Sequence, residues 1–239
     1  MNPIRALCLD LNDTLLDGSG LQESIVRTCE MIAASQPGLD AARLVEANGQ
    51  IWPGYWLEIE ESWTLGRLDS ASARREAWRR TLRACGCIDE SLAQRAVQIH
   101  RQLGLKAHRL FDDVGEFFTA AKRARVPLAL ITNGAADAQR EKLRVLEMEH
   151  SFEVVVISGE VGIAKPDASV FRLALNQLRV ERENAWHVGD SLTADVAGAK
   201  AAGLTAVWLN RSGRVRSAGD PEPDLEIRSL SNLMAFLPE

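Results

Sequence analysis

The 239-residue chain has one tyrosine, four histidines and four cysteines, and it carries no excess of positive charge. No apolar run approaches the roughly 18 residues a membrane helix needs, so no segment is expected to span a bilayer. The opening stretch, Met1 to Asp10, enters a short apolar run stopped by an acid, which lacks the core and cleavage site of a signal peptide. Cys8, Cys29, Cys85 and Cys87 show no zinc spacing, and Cys85-Gly86-Cys87 is too short for the usual metal or redox knuckle. They read as reduced thiols of a cytoplasmic protein. His100, His108, His150 and His187 stand singly, which excludes a recognisable His-based metal site. A net charge of −5 argues against a broad nucleic-acid footprint but leaves room for a local basic pocket holding a small anion.

What is present is an ordinary globular balance, 46% hydrophobic and 26% charged. The length suits one large domain or a domain with a sizeable insertion, able to bury about 70% of its unfolded surface without disulfide or metal staples. Short apolar runs at Ala6–Leu9, Leu128–Ile131, Val154–Ile157, Trp186–Val188 and Ala206–Leu209 read as strands buried on both faces of a parallel sheet. Helical patterns lie between them, at Ala136–Leu146, Ser169–Leu178 and Thr193–Ala202, and Leu225–Leu237 predicts a last short strand and helix. This alternation predicts a doubly wound, Rossmann-like α/β core. From about Ser19 to Leu105 the rhythm changes to helical patterns alone, such as Leu21, Ile25, Cys29 and Ile32. The expected division is therefore a core of residues 1–18 and 106–239 with an all-helical insertion, 19–105.

In an open α/β sheet ligands bind beyond the carboxyl ends of the strands. There the sequence places Asp10-Leu11-Asn12-Asp13-Thr14, Thr132-Asn133-Gly134, Gly162 to Asp167 with Lys165, and Gly189-Asp190-Ser191 with Asp195. These residues suit phosphoryl transfer. Asp10 can attack phosphorus to form an acyl phosphate. Asp10 and Asp190 can hold a magnesium ion (Mg2+), which favours a few carboxylates, water and a substrate oxygen. Lys165 supplies a point charge, and Pro166 biases it toward an extended backbone. Thr132 offers a hydroxyl, and Asn133 and Gly134 offer N–H donors at a helix start. Asp195 reads either as a partner behind the metal or as a first-turn helix acid, and Ser191 either as a donor to the metal shell or as a helix cap.

The order and spacing of Asp10, Thr132, Lys165 and Asp190 resemble the haloacid dehalogenase (HAD) superfamily, mostly phosphatases, in the subgroup with a helical cap after the first motif. The resemblance runs from Ala6 to Arg211. It implies a hydrolase of a small phosphorylated metabolite, monomeric or homodimeric, with Asp10 as nucleophile and Mg2+ held by Asp10, Asp190 and the backbone carbonyl of residue 12. Ile131-Thr132-Asn133-Gly134 and the cap length resemble nucleotidase and sugar-acid phosphatase members.

One position departs from that pattern. The family's phosphatases carry a second Asp two residues after the nucleophile, as general acid and base, and here stands Asn12. An amide cannot deliver or take that proton, and losing such help costs a factor of about 10² to 10⁴. Asp13 points away from Asp10 on a strand-like backbone and is not an obvious substitute. Three explanations stay open: an Asp→Asn change, a slow or repurposed natural member, or dehalogenase chemistry through an Asp10 ester without metal. The family's dehalogenases usually carry Tyr at this position, against that last option. A phosphate-binding pseudoenzyme is a further alternative. In the cap, Trp52, Tyr55, Trp56, Trp63 and Trp78 form either a wall for the organic part of a substrate or the cap's own core. Pro53 predicts a helix start. Arg67, in Gly66-Arg67-Leu68-Asp69, is a candidate substrate contact, whereas Arg74, Arg75, Arg79 and Arg80 are expected on a solvated helix face.

Overall fold

The computed structural model describes residues 4–238. Six parallel strands form the central sheet: β1 (Ala6–Leu9), β4 (Leu128–Thr132), β5 (Val154–Ile157), β6 (Ala185–Gly189), β7 (Thr205–Leu209) and β8 (Leu225–Ile227). Their order across the sheet is β5-β4-β1-β6-β7-β8. The chain moves from β1 to one side and later returns to the other. The reversal falls beside β1, where splayed connections open a crevice. Asp10 follows β1 directly, its amide donating to Val188 O at 3.0 Å.

Alternation along the buried strands separates the two faces. Leu7, Leu9, Leu128, Leu130, Trp186, Val188, Val207 and Leu209 pack on α5 (Val114–Arg123) and the C-terminal 3₁₀ turn Leu230–Phe236. Ala6, Cys8, Ala129, Ala185 and Ala206 face α8 (Ala168–Leu178) and α9 (Ala197–Ala202). Small residues on this second face let its helices lie close. Gly198 of α9 sits against Phe171, and a Cβ there would fall 2.6 Å from the ring. The predicted helix 193–202 begins as a wide turn, Leu192–Val196, in which Val196 N reaches back five residues to Ser191 O, before α9 proper.

The insertion is four helices: α1 (Leu21–Ser35), α2 (Ala41–Thr64), α3 (Ser70–Ala84) and α4 (Glu90–Ala107). Asp40, Asp69 and Asp89 cap α2, α3 and α4 through their side chains. A two-stranded antiparallel ribbon, β2 (Leu16–Asp17) with β3 (Arg109–Leu110), gathers the two connections to the core. One expectation fails at Pro53, which does not start a helix but lies inside α2. Its missing N–H strands the carbonyl of Gly49, but Gly49, Pro53 and Gly54 are all exposed, so water can satisfy that group. The remaining helices are α6 (Ala136–Val145) and the single turn α7 (Ser158–Val161). All four cysteines are free thiols, and no helix among the described residues is long and apolar enough to cross a membrane.

The Gly198–Phe171 approach gives a direct test of packing. Gly198→Ala should cost about 1–3 kcal/mol in urea unfolding, because overpacking a tight contact forces neighbours off their preferred positions. In a Phe171→Leu background the same change should cost less than about 1 kcal/mol. Equal costs in both backgrounds would show that this contact is not the constraint.

Candidate active site

Four segments converge at the carboxyl ends of the central strands. Asp10 follows β1, Thr132 ends β4, Lys165 lies in the loop after α7, and Asp190 and Asp195 follow β6. Asp10, Lys165 and Asp195 are each buried. The Lys165 ammonium donates to Asp10 Oδ1 and Asp195 Oδ1, both at 2.6 Å. Burial works against its charge, but the two carboxylates outweigh burial and hold the lysine protonated, well above its ordinary value.

Asp195 also accepts from the Ser191 amide at 3.0 Å and lies 2.9 Å from His187 Nε2, which must be the donor because a carboxylate only accepts. Burial pushes this carboxyl up, but Lys165 and His187 pull it further down, so Asp195 stays ionised. Gly189 permits the arrangement, since a Cβ there would lie 2.1 Å from Asp195 Cγ. Ser191 caps the following turn through Ala194 N, the second of its two sequence readings.

Asp190 differs from its neighbours. Its carboxylate is half-buried and accepts no hydrogen bond among the described residues; its backbone carbonyl accepts from Trp208 Nε1. Burial, then Asp10 and Asp195, push it up to about 7. Burial also raises Asp10, Lys165 notwithstanding. Ligand oxygens of Asp10, Asp190 and Asp195 all lie within 4.8 Å of one another. Two carboxyls pressed together, one without any donor, suit a divalent cation. Asp195 is already committed to its three donors, which leaves Asp10 and Asp190 as the side chains able to hold it.

The second motif acts differently from the sequence reading. The Gly134 amide donates to Ser158 Oγ at 2.8 Å and is therefore not a donor for a ligand. Asn133 holds the backbone of Lys165 on both sides, its Oδ1 accepting from Lys165 N and its Nδ2 donating to Lys165 O, each at 2.9 Å. Thr132 Oγ1 accepts from Gln139 Nε2 at 2.6 Å, which leaves its own hydrogen for another acceptor. Gln139 is oriented in turn by Lys142, whose ammonium donates to Gln139 Oε1 and to Asn12 Oδ1, both at 2.7 Å. A hydrogen-bonded chain thus runs from Asn12 to Thr132 through two residues of α6. Burial pushes Lys142 down to about 8. Neither Gln139 nor Lys142 stood out in the sequence; their signal is the i, i+3 spacing on α6 just after Thr132.

Other candidates fall elsewhere. Asp13 is exposed, but the strand-like backbone expected for it is not found: it sits in a turn at φ 57° and lines a surface pocket together with Asp190. Arg67 pairs with Glu61 at 3.2 Å on the surface and is not brought to Asp10. Its neighbour Gly66 does meet the core, where a Cβ would fall 2.0 Å from Gly159 O. The aromatic residues divide. Trp78 and Tyr55 are buried within the cap, Trp63 covers Gly134, and Trp52 lines a cavity between cap and α6. Arg75 and Arg79 are exposed and Arg74 and Arg80 half-buried, and Arg74 lines that cavity. Arg211 fixes the first motif from behind, donating to Thr14 O at 2.8 Å and to both Asp113 oxygens at 2.9 Å.

The chain is similar in sequence and fold to known proteins. Residues 4–203 match the family model described as haloacid dehalogenase-like hydrolase. The chain is 34% identical to a phosphoserine phosphatase of Thermus thermophilus, over 99% of both sequences. It is 27% identical to the mouse N-acylneuraminate-9-phosphatase, over 99% of this chain and 95% of the relative. A 2-haloacid dehalogenase from Pseudomonas syringae pv. Tomato shares the fold with a TM-score of 0.70 and 28% identity, over 98% of each chain. With its first strand ending in a buried carboxylate bridged by lysine, and with a match along most of its length, the chain belongs to the haloacid dehalogenase-like hydrolases.

Proposed function

We propose that the protein hydrolyses a small phosphate monoester through an aspartyl-phosphate on Asp10, with Mg2+ as cofactor. The observation that carries this reading is the unpartnered Asp190 carboxylate beside Asp10, which suits a cation. Asp10, Asp190 and the Asn12 carbonyl would hold Mg2+, which when bound offsets the charge of the phosphate dianion and of its attacking carboxylate. A carboxylate oxygen of Asp10 forms a bond to phosphorus while the bond from phosphorus to the ester oxygen breaks. The departing alkoxide takes a proton from water. A second water then opens the acyl phosphate, releasing inorganic phosphate and restoring Asp10. Lys165 keeps Asp10 in place, and the Thr132 hydroxyl can donate to a phosphoryl oxygen.

Asn12 supplies no proton in either half of this cycle. Its amide oxygen is held by Lys142, so an aspartate of the same shape fits with a counter-charge already beside it. Asn12→Asp should raise the hydrolysis rate of a generic aryl phosphate by about 10²-fold or more. Equal rates in the two proteins would mean that the roles given to residues 10 and 12 are wrong. The same assay treats the second reading, favoured by the missing carboxyl at 12 and by the dehalogenase likeness. Halide released from a 2-haloacid in the presence of chelator would favour it. Phosphate-ester binding without turnover even after Asn12→Asp would favour a binding role.

Cation binding has a separate readout. Mg2+ at about 100 times its dissociation constant should stabilise the fold by about 2.7 kcal/mol, seen as a rise in melting temperature. Asp190→Asn should abolish that rise. A rise that survives the substitution, or none in the unaltered protein, would remove the cation from this site.

A further inference from the structure

A cavity of about 300 Å³ lies between the cap and α6, at the lower end of the range for small-molecule pockets. We propose that it takes the leaving group of the substrate, and that this group bears a carboxylate bound by Arg74. This rests on the phosphate-ester reading of Asp10.

Three observations support it. First, the charge of the lining has one sign: Arg74, Arg101 and Lys142 line the cavity and no acidic residue does. Second, of these three cations only Arg74 lacks a partner among the described residues. Arg101 pairs with Glu141, and Lys142 donates to Asn12 and Gln139. The acids that Arg74 feels at a distance are spoken for, Glu141 by Arg101 and Asp137 by Ser70, which donates to it from both its amide and its hydroxyl. Arg74 is half-buried on α3 and lines the cavity, where an unmatched guanidinium suits a charged, planar acceptor. Third, Lys142 is shared by the cavity and the first motif: it lines the cavity, and its ammonium donates to Asn12, two residues after Asp10.

The remaining lining refines the ligand. His100 Nδ1 accepts from Trp78 Nε1 at 3.3 Å, which makes Nε2 the protonated nitrogen and a donor. Burial, with Arg74 nearby, pushes His100 down to about 4, so the ring stays neutral near pH 7. Trp52 and Trp78 give an apolar wall for a carbon skeleton. The planar fork of Arg74 matches a carboxylate in shape as well as in charge. Arg74 is thus a specificity residue, matched to a fork-shaped anion that a lysine would hold less well.

The test is a panel of phosphorylated hydroxy acids of three to nine carbons. Each is paired with its neutral alcohol counterpart and with the corresponding bisphosphate. For the best chain length, kcat/KM should favour the acid over its neutral counterpart by about tenfold or more. Arg74→Gln should collapse that ratio toward one, chiefly through KM, and Arg74→Lys should retain part of it. A ratio near one in the unaltered protein, a preference for bisphosphates, or a ratio indifferent to Arg74→Gln would overturn the proposal. Tryptophan fluorescence with the non-hydrolysable phosphonate analogues of the same pairs separates the two readings. Selective binding of the acid that is lost in Arg74→Gln, without turnover of any ester, upholds the carboxylate site and rejects the phosphatase. Turnover without discrimination does the reverse.

Discussion

The site depends on one buried ammonium. Lys165 lies between Asp10 and Asp195 with almost no exposure to solvent, and each of these three groups would be costly to bury alone. Together they are tolerable because the lysine joins both carboxylates and neighbouring groups hold the cluster in place. Asn133 fixes the lysine backbone, His187 and the Ser191 amide fix Asp195, and the bare Cα of Gly189 makes room for Asp195 to fold back. Asp10 is therefore positioned by groups from β4, β6 and the loop after α7, whose ends meet only because the sheet reverses direction beside β1. Fold and chemistry are linked at that reversal.

Asp190 stands outside this balanced cluster. Asp195 has three donors and Asp10 has Lys165, but Asp190 has none. A local excess of negative charge within a mostly neutralised pocket is a poor design for stability, and functional sites are where such excess is kept. The same logic applies with opposite sign to Arg74. Both are charged groups withheld from the internal pairing that their neighbours enjoy, one beside Asp10 and the other in the cap cavity. The phosphoryl end and the leaving-group end of a substrate would then be read by separate parts of the chain.

The sheet was legible in the sequence because strands buried on both faces leave uninterrupted apolar runs, and all five runs read this way are strands. Asp10, Thr132, Lys165 and Asp190 were legible because each follows such a run. Pro53 misled because local chemistry was read without knowing which side of α2 faces water. Gly134 misled because its amide is taken by Ser158, a residue 24 positions away on another strand end. Arg74 looked like one of four arginines on a solvated face. Only the packing of α3 against α4, with His108 and Lys142 closing the far side, separates it from the others. Lys142 and Gln139 were invisible for a related reason: an ordinary polar helix face gains meaning only when α6 is laid beside Asn12.

The chain from Asn12 to Thr132 also bears on why an amide can stand at position 12. Lys142 is a donor in every contact it makes, so it requires an acceptor oxygen from residue 12, and asparagine provides one as aspartate would. The orientation of Gln139, and with it the availability of the Thr132 hydroxyl, is preserved by either residue. Either residue at 12 thus leaves the hydrogen-bonded frame of the site intact. On the proposed reading, a folded site with Asp10, Lys165 and the acids in register, yet slow in turnover, would follow. The frame asks only for an acceptor oxygen at position 12, so it does not by itself decide between acid and amide.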